Sequence, residues 1–554
     1  MPAKKPERWD YETDVVILGT GSAALVAGIT AYEQGADVIL LEKAKQIGGT
    51  SAFSGGVPWI PMNRYMKEAG IEDSREDVLT YLRRLTGGKE PNSDLLEVYI
   101  DNAHKMLDFL LENTPLRFSI PKSYPEYYSD LPGSKNGRSL DPVPFSLNEL
   151  GEWSSKLRQN PVFPPLTLEE GGAIEASKAD FTLIADRMEN NIVTMGRSLV
   201  GSLFKGCLDR NITTLIETPG KELVLNEEGE VIGVKAEQNG KDVFIGARKG
   251  VVLASGGFEW NKELIKMFLK GHATHPMSPS SNTGDGLLMA MEIGAALGNM
   301  SEAWWTPTMQ DPTIEYEDHV LSLTLGNRTS KNTIIVNKYG KRFVNEGTTY
   351  MDMPKSFYEY DPVKLDWPNE PPVWLIFDQQ LKDREMVITA MPGEPAPDWF
   401  YQASNVKDLA SKIGVDPNGL EETVATFNEY AKMGKDPDFG RGTAFFENFD
   451  GGGSPEKNLG PIDTAPYYAL PIYYGMLGTN GGPKINENGQ VINVRGKVID
   501  GLYAAGNVAM GVFGQAYPSA GGTIGPAMTF GYLAGKDVGK KASRDIKNLK
   551  EVKQ

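Results

Sequence analysis

The sequence predicts an α/β chain in which a nucleotide-binding domain is assembled from both chain ends, with an α+β cap domain inserted between its parts. Three observations carry this reading. The apolar run DVVIL at 14–18 is followed by GTGSAALVAG and by an apolar pattern of helical spacing through Tyr32. A second strand, DVILLEK at 37–43, closes a unit of about 30 residues, the size of a βαβ crossover. Far downstream, KGVVLASGGF at 249–258 and GLYAAGNV at 501–508 each read as an apolar strand ending in a glycine turn, so distant segments supply one domain.

In the first unit Gly19 permits the tight turn and Gly21 lets the backbone approach a pyrophosphate. Ala24 sits where a small residue allows close helix packing, with Ser22 and Ala23 beside it at the helix start. Glu42, at the end of the second strand, is placed to accept hydrogen bonds from a ribose, with Lys43 next to it. The stretch KAKQIGGTSAFSGGVPWIP at 43–61 is dense in glycine and hydroxyls. Its Gly49, Thr50, Ser51, Ser54, Gly55 and Gly56 offer backbone N–H groups and small side chains that wrap phosphates and a flavin ring. A nicotinamide cofactor has less need of such a stretch, so the expected group is FAD in a Rossmann-like FAD-binding domain. Ala254, Ser255 and Gly256 in one downstream turn, and Gly506 and Asn507 in the other, join the same expected site.

Between these pieces, SDLLEVYIDNAHKMLDFLLENT at 93–114 has apolar residues at helical spacing and Ser93 as its expected N-cap. The runs ELVLN, VIGVKAE and DVFIGA within 212–253, broken by NEEGE and QNGK, predict strands joined by hairpin turns. From about 298 to 462 the chain is rich in Trp, Pro and Asp, with TIIVN and VWLIF as strands and LEETVATFNEYAKMG as a helix. The expected division is therefore 1–297 and 463–554 for the two parts of the FAD-binding domain and 298–462 for the cap. GGGSPEK at 451–457 reads as a flexible stretch, and NPVFPPLTLEEGG at 160–172 as an insertion shaping a substrate mouth.

Composition removes other classes. The 554 residues are 40% hydrophobic and 23% charged, ordinary for a soluble chain long enough for two or more cores. A net charge of −17 without a basic stripe argues against nucleic acid. The single cysteine, Cys207, excludes an intrachain disulfide and an iron–sulfur cluster held by this chain alone, and no metal site is expected. A reducing cytoplasm fits best. The opening MPAKKPERWDYETD lacks the apolar stretch of a secretory signal, and no run of about 20 apolar residues suits a spanning helix. Peripheral association with a membrane stays open.

GTGSAALVAG with Glu42, GGTSAFSGG, VVLASGGF, TGDG at 283–286, GKRFVNE at 340–346 and GLYAAGN together resemble the fumarate reductase and succinate dehydrogenase flavoprotein superfamily. The closing stretch AYPSAGGTIGPAMTFGYLAG, 516–535, resembles more narrowly its 3-ketosteroid dehydrogenases. The resemblance implies a two-domain FAD enzyme whose cap closes substrate onto the flavin, a 3-ketosteroid as substrate, and an external electron acceptor, quinone-like or unknown. It adds Asp285, Thr523 and Ile524 to the expected FAD contacts. Non-covalent FAD is expected, because none of the histidines (His104, His272, His275, His319) lies in the glycine-rich segment.

The run RFVNEGTTY at 342–350 carries the most specific departure. In the superfamily's fumarate reductases an arginine follows this motif and protonates a dicarboxylate; here Tyr350 stands at or next to that position. A phenol is uncharged at neutral pH, passes a proton both ways and tolerates an apolar substrate. The histidine that precedes a Pro-Thr pair in those enzymes is also missing, since Pro307-Thr308 follows WWT. By resemblance to 3-ketosteroid 1-dehydrogenases, Tyr350 removes the proton from carbon 2. Tyr127 assists it, with Tyr128 the alternative, and Tyr517 and the Gly521 N–H hold the 3-keto oxygen. Proton removal beside a carbonyl builds enolate charge, which two aimed donors stabilise. The N-terminus of the final helix, GGTIGPAMTFGYLAG, is expected to face charge on reduced flavin. Ser519 and Ala520 depart from the 1-dehydrogenase motif and keep 3-ketosteroid 4-(5α)-dehydrogenation as an alternative. A fumarate-reductase-like enoate reductase and a non-catalytic flavin sensor stand further off, and Arg342 and Glu346 read as structural.

Overall fold

The computed structural model describes residues 2–122, 124–171, 180–271, 273–450 and 453–546. Its first layer is a mainly parallel sheet in the order Gln490–Ile492, Val498–Ala504, Lys241–Leu253, Tyr11–Leu18, Val38–Leu41, Thr213–Leu215. The strand Tyr11–Leu18 is central because Val15 to Leu18 are buried on both faces, as an apolar run without alternation requires. It pairs in parallel with Val38–Leu41 (Val15 opposite Val38) and with Lys241–Leu253 (Leu18 opposite Leu253). Gly220–Leu225 and Val231–Gln238 continue from Lys241–Leu253 as an antiparallel meander, as the hairpin signals predict.

Helix Ser22–Glu33 is buried from Ser22 to Ala31. Its neighbour is the last helix, Ile524–Lys540, and the two backbones approach so closely that a Cβ on Gly535 would lie 2.4 Å from the Ala27 carbonyl oxygen. That contact joins the first thirty-odd residues to the C-terminal region. Helix Ser93–Asn113 packs on the same domain; its cap is Asn92, not the expected Ser93, with the Asn92 carboxamide accepting from the Asp94 and Leu95 N–H groups at 2.9 and 3.3 Å.

The cap is a second sheet, ordered His319–Thr324, Ala303–Tyr316, Tyr467–Thr479, Val373–Asp378, Thr333–Val336. Alternation decides its two faces: Trp374 and Ile376 pack against helices Val406–Ile413 and Pro417–Met433, while Leu375 and Phe377 join a separate core with Leu470 and Ile472. The central strand Tyr467–Thr479 lies beyond the expected boundary at 462, so the cap sheet reaches further along the chain than composition indicated. Of the stretch read as flexible, residues 451 and 452 lie outside the described residues, and helix Pro455–Asn458 begins within its remainder. No helix among the described residues is long and apolar enough to cross a membrane.

Candidate active site

A cavity of about 360 Å³ lies where the strand ends of the parallel sheet meet the cap. It is walled by every residue expected to bind the cofactor except Ala24, which is fully buried in the first helix. Gly19 has a φ of +110°, and a Cβ there would lie 2.3 Å from the Ala254 carbonyl oxygen, so only glycine brings the two turns together. Ser51 closes the cradle over the first helix, its Oγ accepting from the Ser22 N–H at 3.1 Å and donating to Ser22 Oγ at 3.0 Å. Lys43 Nζ donates to Thr283 Oγ1 at 2.5 Å and Asp285 Oδ2 at 2.9 Å, tying TGDG to the end of the second strand. Glu42 is buried, with Thr20 Oγ1 and the Ala44 N–H donating to its carboxylate. Burial pushes its carboxyl up, and those donors with Arg158 and Lys43 pull against it. Ser255 Oγ is buried on this wall without a partner, a polar atom waiting for one. A glycine-lined cradle, a ribose-side carboxylate and an unsatisfied hydroxyl fit FAD.

At the cap side the phenols of Tyr127, Tyr350 and Tyr517 meet, with that of Tyr124 behind them. The Tyr124 hydroxyl donates to that of Tyr127 at 3.3 Å, and Tyr127 donates to Tyr350 at 3.1 Å. The Tyr517 ring centroid lies 6.1 Å from that of Tyr127 and 6.2 Å from that of Tyr350. Tyr127, Tyr350, Tyr517 and Gly521 all wall the cavity. Burial pushes the Tyr350 phenol well above its ordinary value, the Tyr517 and Tyr124 hydroxyls add to this, and the Tyr127 hydrogen bond works in the opposite direction. Burial also raises Tyr517, offset by hydrogen bonding at Thr523, Tyr350 and the Gly521 backbone.

Each phenol is fixed by its own surroundings. The loop of Tyr350 is pinned through Glu346, which pairs with Arg342 at 2.7 Å and accepts from the Ile335 N–H at 3.1 Å, while Arg342 also pairs with Asp436 at 2.8 Å. Beside Tyr127, the buried Glu126 accepts from Trp59 Nε1 at 3.0 Å and from Ser134 Oγ at 2.9 Å. The Phe446 ring stands 4.8 Å from Tyr127. Trp304 packs edge-on to Tyr517 at 5.5 Å and donates through Nε1 to Asn507 Oδ1 at 3.0 Å. Gly521 has a φ of +93°, and a Cβ there would strike the Pro58–Trp59 backbone at 2.4 Å, which seats this turn on the glycine-rich segment.

Tyr128 faces elsewhere, donating to Asp352, and does not wall the cavity. Ser519 is fully buried, its Oγ has no hydrogen-bond partner, and it too is absent from the walls. Cys207 packs in the core, where burial raises its thiol to about 12. His104, His275 and His319 do not wall the cavity, and His272 lies outside the described residues. Sequence reasoning missed Phe53, Val57, Met277, Thr324 and Leu477 as walls, and Phe163 and Leu168 put the expected mouth segment there as well.

A fold with a dinucleotide cradle at the ends of its parallel strands, and with phenols lining the same cavity, defines a class of flavin-dependent oxidoreductase. Residues 14–524 match the FAD binding domain family. The 3-oxosteroid 1-dehydrogenase of Mycobacterium tuberculosis (strain ATCC 25618 / H37Rv) is 36% identical over 96% of this chain and 99% of its own. The 4-oxocyclohexanecarboxylate 2-dehydrogenase of Sinomonas cyclohexanicum is 34% identical over 96% of this chain and 93% of its own. Among solved structures, that of 3-ketosteroid delta1-dehydrogenase from Sterolibacterium denitrificans, in complex with 1,4-androstadiene-3,17-dione, superposes with a TM-score of 0.88 at 32% identity, covering 95% of this chain and 99% of that one. The chain belongs to the FAD-binding oxidoreductase family of the 3-ketosteroid dehydrogenases, within the fumarate reductase superfamily.

Proposed function

We propose that the protein desaturates 3-ketosteroids between carbons 1 and 2. The observation that carries this is the convergence of Tyr127, Tyr350 and Tyr517 on the wall of the FAD cleft. FAD, when bound, supplies the acceptor, at flavin N5, for the hydride that leaves carbon 1. Tyr350 takes the proton from carbon 2, and the electron pair of that C–H bond forms the new double bond as the hydride departs. The Tyr517 hydroxyl and the Gly521 N–H hold the 3-keto oxygen and stabilise the enolate charge that gathers on it. Tyr127 donates to Tyr350 and so favours the phenolate that acts as base.

The walls beside the phenols favour an apolar substrate. Glu42, Lys43 and Asp285 are the charged residues of this cavity, and they stand in the nucleotide cradle. Phe53, Val57 and Leu477 supply apolar walls instead. FAD is held non-covalently in this reading, which is supported by the absence of the described histidines from the cavity walls.

The test is to mix the yellow protein anaerobically with androst-4-ene-3,17-dione and with its 5α-reduced relative, follow the flavin absorbance, and identify the products. Bleaching with a 1,4-diene product is expected from the former. Bleaching only by the 5α compound, with a 4-ene product, would transfer the assignment to 4-(5α)-dehydrogenation. No bleaching by either would remove the steroid assignment.

A further inference from the structure

A second cavity, of about 490 Å³, adjoins the FAD cleft and shares Ser54, Asn160 and Phe163 with it as wall residues. Its walls are largely apolar, with Leu147, Val162, Pro165, Ile184 and Val193 among them. Most polar groups there are already engaged. Asn160 donates through Nδ2 to the Phe53 carbonyl at 3.0 Å and accepts from the Val162 N–H at 3.1 Å. Arg187 donates to Glu170 at 2.6 and 2.8 Å and to the Pro165 carbonyl at 2.7 Å.

Arg197 is different. Its Nε is buried without a hydrogen-bond partner, and among the described residues burial alone acts on its charge, with no carboxylate to counter it. A guanidinium does not shed its proton in a protein, so a partly desolvated one favours an anion, and its planar fork suits a carboxylate.

We propose that this cavity binds an organic anion with an apolar body, a carboxylate on a hydrocarbon frame, and that Arg197 is the cation that receives it. The inference rests in part on the steroid reading, because the shared walls make the substrate itself one source. A 3-ketosteroid with an acidic side chain would hold its keto end at the phenols and its carboxylate at Arg197. The other source is a separate amphiphilic acid that binds beside the substrate.

The FAD-loaded protein and its Arg197→Met and Arg197→Lys variants would be assayed on androst-4-ene-3,17-dione and on 3-oxochol-4-en-24-oate, and titrated calorimetrically with 5β-cholan-24-oate, which has no ketone. If the substrate is the source, Arg197→Met lowers kcat/KM for the acid about tenfold or more, through KM, and leaves the dione within about twofold. If a separate acid is the source, both steroids keep their rates while cholanoate binding weakens about tenfold or more in Arg197→Met. In either case Arg197→Lys retains most of the wild-type affinity for the acid. Loss of the dione and the acid in equal measure, with cholanoate binding indifferent to Arg197, would overturn the site. A wild-type protein inert toward both steroids that still bound cholanoate through Arg197 would contradict the desaturase reading and leave the anion site standing.

Discussion

At the scale of single residues the proposed chemistry depends on which phenol carries the charge. Tyr350 accepts from Tyr127, which accepts from Tyr124, and in the proposed reaction it is the base. Its pKa lies above the ordinary phenol value, chiefly through burial, so the active phenolate is the minor form at neutral pH and kcat/KM rises as the medium becomes alkaline. Tyr127→Phe removes the hydrogen bond that lowers the Tyr350 pKa, so that alkaline limb should move to higher pH. A pH profile of single-turnover flavin bleaching checks this, and an unmoved limb would deny Tyr127 its part. Tyr517→Phe should lower kcat by about 10²–10³, the loss found when one donor to a developing oxyanion is removed. Steady-state kinetics with a saturating electron acceptor would measure it. Tyr124 was within reach of sequence reasoning, since it opens the run YPEYY at 124–128, but the paired tyrosines drew attention to 127 and 128 only. The apolar walls were not: Phe53, Met277 and Leu477 come from separate elements and form no pattern until the chain folds.

Among elements, the legible ones were those whose local signal and tertiary role agree. The βαβ unit, the meander at 220–253 and the strands Thr333–Val336 and Val373–Asp378 fall where apolar runs and turn residues place them. Strand Tyr467–Thr479 lies past the boundary that the compositional change suggested, and its pairing with Ala303–Tyr316 and Val373–Asp378 makes it the central strand of that second sheet. The Asn92 cap was missed because Asn and Ser stand side by side and both are good caps. The motif GKRFVNE proves to be an anchor for the Tyr350 loop, with Arg342, Glu346 and Asp436 almost wholly buried. Asp436→Ala would leave Arg342 with one buried partner fewer and should destabilise the cap by about 3–5 kcal/mol, measurable by denaturant unfolding. Burial works against the Glu346 carboxyl, but Arg342 outweighs it and holds the group below its ordinary value; Asp436 behaves likewise. The unfolded chain therefore binds these protons more tightly than the folded one. Their stabilisation is complete above the ordinary carboxylate range and is lost as pH falls through the lowered folded values. Unfolding midpoints measured from neutral to acid pH should show that loss, and a smaller loss in Asp436→Ala, with Glu346 still paired, would identify the share of Asp436.

For the whole molecule, the two domains matter because the cleft needs both. The parallel sheet and its glycine turns hold the nucleotide cradle, while the cap supplies Tyr350, and Lys355 Nζ bridges the two by donating to Asp352 at 2.6 Å and to the Gln515 carbonyl at 3.0 Å. FAD binds the folded chain and should stabilise it by about 4 kcal/mol when present at a thousand times its Kd. Gly19→Val, whose side chain has no room beside Ala254, should give a colourless protein with a lower Tm that added FAD does not restore. The most direct test of the central claim is anaerobic mixing of FAD-loaded Tyr350→Phe with androst-4-ene-3,17-dione in a stopped-flow spectrometer. The account predicts that the steroid still binds, seen as a rapid perturbation of the flavin spectrum, while bleaching slows by about 10²–10⁴ relative to the unmodified protein. Bleaching at the unmodified rate would show that another group takes the proton, and the role assigned to Tyr350 would fall.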